Sequence, residues 1–262
     1  MATITSLHPR LSLNAICSMH QSFDEDLVLW ERLGVDHVGL IAPKLADAGW
    51  DSCLSKIQER GLRISSMSTY WDDIEASIEF TAAVGATVLY MVSGSGGSLL
   101  WEEAADRYLE QIAPWVRRAT DVGVTLALEP TNPLRTDVSF VHTVRDAAFL
   151  ARQAGLGIVV DVYSSWYERD LAATVAENMD VIVLSQIGDF KLGTFDIPNR
   201  CAIGEGDIPV ERLMKMMLDA GYQGAFDLEI LGPPLEDEGY FAPIARSLAR
   251  ASEMLARLDP VT

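Results

Sequence analysis

Eight short runs of apolar and β-branched residues, separated by amphipathic stretches, constrain this chain more than any other feature. The runs are LSLNAI from Leu11, HVGLIA from His37, RISSMS from Arg63, TVLYMVS from Thr87, TLALEP from Thr125, GIVVDVY from Gly157, VIVLSQIG from Val181 and GAFDLEIL from Gly224. Each has strand length and is bounded by turn residues. Between them lie segments such as FDEDLVLWERLG, DDIEASIEFTAAVG, WEEAADRYLEQIAPWVRRATDVG and PVERLMKMMLDAG, several with Asp or Ser before them and Gly at the end, as helix caps prefer. A strand followed by a helix, repeated eight times with right-handed crossovers, closes into a (β/α)8 barrel. No linker, low-complexity tract or composition shift breaks the series. Residues 1–262 are therefore expected to form a single α/β domain, and a chain of 262 residues that is 49% hydrophobic can bury the core it needs.

Charge and cysteine usage narrow the function. With 38 acidic against 20 basic residues the net charge is −18, so the average surface repels nucleic acid and anionic membranes, and no basic patch offsets this. The three cysteines, Cys17, Cys53 and Cys201, form no C-x-x-C pair. Neither a disulfide framework nor a thiolate zinc site is indicated. MATITSLHPR holds no apolar stretch of signal-peptide length, and no later run approaches the roughly 18 apolar residues of a membrane span. The expectation is a cytoplasmic protein acting on a small molecule.

In a barrel of this kind the loops after the strand C-termini build the active face. The elaborated connections here are SGSGGS after strand four, EPTNPLRTD after strand five and GDFKLGTFDIPNRCAIGEGD after strand seven, all on that face. The run IVVDVYSSW, Ile158 to Trp166, poses a sharper question, because a buried strand ends in a carboxylate, Asp161. Glu129 and Glu229 lie at the ends of strands five and eight in the same manner. Three unpaired carboxylates converging on one mouth would repel one another, and a divalent cation that takes an oxygen from each removes the difficulty. Gln186 stands at the comparable height on strand seven and offers a neutral oxygen. The proposed ligand set is Glu129, Asp161, Gln186 and Glu229; the alternative for each carboxylate is helix capping or pairing with Arg135 or Arg200. Strand alternation turns Asp227 inward with Glu229, one layer deeper, in a structural or ligand-supporting role.

Other residues carry weaker signals. His142, in SFVHTVRD, is either a replacement acid or base at the mouth or an ordinary helix-start residue, and His20 after strand one has the same two readings. Asn14, at the end of strand one, either bonds substrate or satisfies another barrel residue. Tyr70, Trp71, Tyr163 and Trp166 are pocket walls or loop-packing anchors. SGSGGS lacks the Lys-Ser/Thr of a P-loop and reads as a lid or a plain loop.

From LALEPTNP through VVDVYSSW and QIGDFKLGTFDIPNRCAIGEGDI to FDLEILG, the chain resembles the xylose isomerase-like TIM barrels, the sugar phosphate isomerases and epimerases. The resemblance runs over nearly the whole chain. It implies one divalent ion bound through Glu129, Asp161, the strand-seven residue Gln186 and Glu229. It also implies that Arg200 contacts a substrate oxygen, with Asp189 as an organiser nearby. Many relatives read E-P-L-H-P, D-V-Y-H and H-x-x-D where this chain has EPTNP, DVYSSW and QIGD, so Asn132, Ser164 and Gln186 stand in place of three histidines. The resulting all-oxygen set favours Mn²⁺ or Mg²⁺ over Zn²⁺. The lost histidines point to a different substrate: a modified sugar, cyclitol, glycoside or non-carbohydrate keto compound.

The chemistry the resemblance implies is proton abstraction beside a carbonyl with the enediolate oxygen stabilised by the metal, Glu129 and Glu229 working from opposite faces. With one base and a leaving group the same site performs elimination, so a lyase or dehydratase is the runner-up. A non-catalytic ligand-binding barrel or complex subunit is the alternative of another class. The related abasic-site endonucleases need a histidine cluster for several zinc ions, which four scattered histidines do not supply. Barrels of this type often form homo-oligomers, and no interface is legible in the sequence.

Overall fold

The computed structural model describes residues 7–260. Residues 1–6, on which the reading of the N-terminus partly rests, lie outside the described residues. Eight parallel strands close on themselves: β1 (Leu11–Asn14), β2 (His37–Ile41), β3 (Arg63–Ser68), β4 (Val88–Met91), β5 (Thr125–Leu128), β6 (Gly157–Asp161), β7 (Ile182–Ile187) and β8 (Phe226–Leu228). Each pairs with its sequence neighbours, and β8 pairs with β1 to complete the ring. This is the (β/α)8 TIM barrel that the alternation predicted. The long connection after β7 carries an extra two-stranded ribbon, Asp189–Phe190 against Arg200–Cys201.

Strands buried on both faces read as continuous apolar runs, and β6 shows how the two faces divide. Ile158 and Val160 join the large core between sheet and helices, whereas Val159 belongs to a separate small cluster with Val88, Tyr90, Ala127 and Leu184. That small cluster fills the lumen on the β4–β7 side. The opposite side of the lumen is polar: Asp227 accepts hydrogen bonds from Ser12 and from Asn14 Nδ2 (2.7 Å). Gly39 on β2 makes room for them, since a Cβ there would stand 2.8 Å from Asp227 Oδ2 and 3.0 Å from Asn14 Nδ2.

The helices follow the cap and stripe signals of the sequence. The helix Phe23–Leu33 starts at a capping box made by Ser22 and Glu25 and ends on Gly34 in the left-handed region. The helix Trp101–Asp121 buries Ala104, Tyr108, Ile112 and Val116, one residue per turn. Close to the mouth, Lys44 donates to Asp26 Oδ2 (2.6 Å) and to the carbonyls of Ala15 (3.0 Å) and Ser18 (2.9 Å), tying the β1 loop to two helices. Among the described residues no helix is long and apolar enough to cross a membrane.

Candidate active site and metal centre

The strand ends bring the three carboxylates together. Glu129 and Glu229 follow β5 and β8 by one residue, and Asp161 is the last residue of β6. One oxygen from each lies within 4.8 Å of the others. Parallel pairing sets Asp161 in register with Gln186 and Gln186 with Asp227, two residues before Glu229, and the tilt of barrel strands brings the successive strand ends to a common height. Above them opens a cavity of about 180 Å³ lined by Glu129, Glu229, Arg200, Tyr70, Tyr90 and Tyr163, among others. Asp161 and Gln186 are fully buried beneath its surface.

A single guanidinium bridges the cluster. Arg200 Nη2 stands 2.9 Å from Asp161 Oδ2 and 2.8 Å from Glu229 Oε1, and Nη1 donates to the Glu229 carbonyl at 2.8 Å. Its carbon lies 4.2 Å from the centre of the Tyr163 ring. Pairing of strand-end carboxylates with Arg200 thus occurs, whereas Arg135 pairs with Asp137 instead. Burial works against the charge of Arg200, but Asp161 and Glu229 outweigh it and hold the guanidinium above its ordinary range.

Burial also raises both glutamates. Glu229 is pushed up to about 7, with Asp161 and Asp227 adding to the rise and Arg200 opposing it. Glu129 is raised well above the usual carboxylate range by burial and then by Glu229 and Asp161 beside it. When all three carboxylates are ionised, Arg200 leaves the cluster two charges negative.

Under the cavity floor runs a hydrogen-bonded chain. Gln186 Nε2 donates to Glu229 and to the Tyr90 hydroxyl (3.1 Å), and Asn14 Nδ2 donates to the same hydroxyl (3.0 Å) and to Asp227. A hydroxyl has two acceptor positions and one proton. Both acceptor positions of Tyr90 are filled, so its remaining capacity is to donate, and the residue lines the cavity. Tyr90 is hard to single out from the sequence because TVLYMVS reads as uninterrupted wall; the signal for it is the alternation from Val88, which turns it inward.

The remaining sequence candidates are dispersed. Asn14 and Asp227 sit below the floor, and Asn14 Oδ1 also caps the turn after β1 by accepting from Ile16 N. The Asp189 carboxylate accepts from the backbone N–H groups of Gly204, Gly206 and Ile208 at 2.8 to 3.1 Å, which organises the loop beyond Arg200. His142 and Trp166 are not among the residues that line the cavity. The His142 ring faces the Thr131 carbonyl, and Trp166 packs on Tyr167 and Phe190. Tyr70 and Tyr163 line the cavity, and Trp71 packs on Tyr108. His20 pairs with Glu236 at the exposed rim. The SGSGGS loop is tied to the loop after β5 through Ser93 to Ser139 (2.8 Å) and Ser95 to the Thr136 carbonyl (2.8 Å).

The three carboxylates suit a hard divalent cation, since each offers an oxygen within reach of the others. Beside them on β7, Gln186 Oε1 is buried without a hydrogen-bond partner among the described residues.

Fold and mouth together define a (β/α)8 barrel with an acidic centre at the C-terminal ends of its strands. The chain belongs to the xylose isomerase-like TIM barrel family, whose pattern matches residues 29–258. Among solved structures, protein SMc04130 from Sinorhizobium meliloti 1021 is similar with a TM-score of 0.83 and 24% identity, over 95% of this chain and 98% of that one. The IOLI protein, solved with a bound zinc atom, gives 0.80 at 15% identity over 96% and 100%. An L-ribulose 3-epimerase gives 0.77 at 15% identity over 96% of each chain. Among curated proteins, no sequence matches this chain.

Proposed function

We propose that this protein is a divalent-metal-dependent isomerase or epimerase of a sugar or a sugar-like hydroxycarbonyl compound. The observation that carries the reading is the convergence of Glu129, Asp161 and Glu229, each with an oxygen within 4.8 Å of the others, on one small cavity at the active face of the barrel. Membership of the family supports it, as do the zinc site of the IOLI protein and the epimerase among the similar folds.

Glu129, Asp161 and Glu229 would hold the ion, with Gln186 as the neutral donor. An all-oxygen set of this kind favours Mn²⁺ or Mg²⁺. When bound, the ion supplies Lewis-acid stabilisation of negative charge on a substrate oxygen. The other work falls to the side chains. Glu129 and Glu229 line the cavity from β5 and β8; in this reading one removes a proton beside the carbonyl and the other returns it on the opposite face. Tyr90 donates its free hydroxyl proton to a substrate oxygen at the floor, and Arg200 offers guanidinium hydrogens at the wall. Tyr70 and Tyr163 bound the space.

The test is solvent exchange. Manganese-loaded protein is incubated in D₂O with a panel of free ketoses, keto-glycosides and ketocyclitols, and deuterium entering beside the carbonyl is followed by proton NMR. Incorporation into at least one compound is expected. Glu129→Gln and Glu229→Gln should each lower its rate by about 10²- to 10⁴-fold. A panel that gains no deuterium, or a glutamine variant that exchanges at the parent rate, overturns the reading.

A further inference from the structure

We infer that Arg200 is a built-in competitor for the metal and sets how tightly the three carboxylates bind a divalent cation. The inference rests on the metal reading above and concerns what an entering ion must displace.

Asp161 carries the argument. A carboxylate has about four lone-pair positions, and four donors reach those of Asp161. Oδ1 accepts from Tyr163 N at 3.0 Å and from Arg200 Nη1 at a longer 3.4 Å. Oδ2 accepts from Ser164 Oγ at 3.0 Å and from Arg200 Nη2 at 2.9 Å. The residue is fully buried. An ion therefore gains an Asp161 oxygen only if one donor leaves.

The four donors differ in how firmly they are held. Tyr163 and Ser164 belong to the short turn Val162–Ser165 that Asp161 itself caps, so they move with it. Arg200 comes from another segment, at the end of a long side chain. Its Nη1 bond to the Glu229 carbonyl and its stacking on Tyr163 use none of the oxygens an ion needs. The guanidinium can thus keep those anchors while Nη2 releases Asp161 and Glu229.

Charge sharpens the competition. Nη2 sits between two of the carboxylates that would ligate the ion, and two cations at ligand distance in a buried site repel strongly. Glu129 takes no side-chain hydrogen bond from the described residues, so it is the open ligand at which an ion first engages. Full coordination then costs the Arg200 bridge, and affinity is lowered by that amount.

The experiment uses Mn²⁺ alone, titrated into metal-stripped full-length protein, with free Mn²⁺ read by electron paramagnetic resonance. Arg200→Met should bind Mn²⁺ about tenfold or more tightly than the parent, within the usual range of coupling between two ligands. Arg200→Lys keeps the charge without the fork that spans both carboxylates and should fall between them. If the parent binds Mn²⁺ and Arg200→Met binds it equally or more weakly, the inference fails and the metal reading stands. If none of the three proteins binds Mn²⁺, both fail. Should the variants not fold, the parent itself decides, through NMR of the arginine side-chain protons during a Mg²⁺ titration. The protected Arg200 Nη signals should disappear or shift as Mg²⁺ saturates, and signals that stay unchanged overturn the inference.

Discussion

Replacing Asp227 by Asn should make the protein's stability less dependent on pH, and the size of the effect follows from its cage. Asp227 is fully buried, and burial raises its carboxyl from 3.8 to about 6, while the hydrogen bonds from Ser12 and Asn14 oppose the rise. Its folded pKa lies above the unfolded value. Between the two, the unfolded chain has released a proton that the folded chain still holds, so stability falls as pH climbs through this window and levels off above about pH 6. The shift is worth about 3 kcal/mol in all, at 1.36 kcal/mol per unit. About half of that loss falls between about pH 5 and pH 7.5. Asn has no proton to lose. It keeps the cage, since its oxygen can accept from Asn14 Nδ2 and its amide can donate to Ser12 Oγ. Urea unfolding of parent and Asp227→Asn, with chelator present at both pH values, gives the stability difference directly. That difference should move in favour of Asn by about 1 kcal/mol from the lower pH to the higher. Any constant cost of the substitution cancels in this comparison. A difference that is flat with pH, or that moves against Asn, refutes the reasoning.

Two further perturbations test the frame around the site. Lys44→Met strands Asp26 as an uncompensated buried charge and should cost about 3 to 5 kcal/mol in urea unfolding at neutral pH. The loss should shrink toward pH 5, because burial raises Asp26 to about 6 even with the Lys44 ammonium opposing the rise, and without it the carboxyl takes up its proton at still higher pH. Gly39→Ala drives a Cβ against Asp227 and should cost about 1 to 3 kcal/mol by overpacking. In a double-mutant cycle the Gly39→Ala penalty should shrink on an Asp227→Ser background, leaving the part due to Asn14 Nδ2; additive losses would show that Asp227 is not what Gly39 makes room for.

All eight barrel strands fall within runs that can be picked out from the sequence, and the reason is physical. A parallel strand covered on both faces is rich in apolar residues, so runs such as TVLYMVS and GIVVDVY stand out between turn residues, while Ser12, Asn14 and Asp227 mark the polar side of the lumen. The carboxylates were legible for the converse reason: an acid that ends such a run has no water to face and must have a function or a partner. Strand tilt and stagger in a closed barrel then bring Glu129, Asp161 and Glu229 to one mouth, which follows once the fold is known. Arg200 was harder to place, because it reaches Asp161 from 39 positions away through a loop whose path no periodicity encodes. Lys44 was passed over altogether, since APKLADA gives no sign that its amine turns inward to the β1 loop. His142 and Trp166 fail to line the cavity for a related reason. Proximity to a strand end along the chain fixes height above the barrel, and the direction of a loop side chain is set by packing that the local sequence does not contain.

Position 186 shows how one exchange reorganises a site. An imidazole there would offer one lone pair to an ion and one N–H to a neighbour. The glutamine amide instead turns two hydrogens outward, one to Glu229 and one to Tyr90, and so fixes a proposed base and a proposed donor with a single group. Its oxygen is buried and has no hydrogen-bond partner among the described residues. Compared with an imidazole, which has one N–H to give, the amide braces two neighbours from one position. In the proposed metal site the three carboxylates would then be the main ligands, and Arg200 holds two of them. On that reading, the glutamine that secures Glu229 and Tyr90 would also leave ion affinity more dependent on the position of one guanidinium.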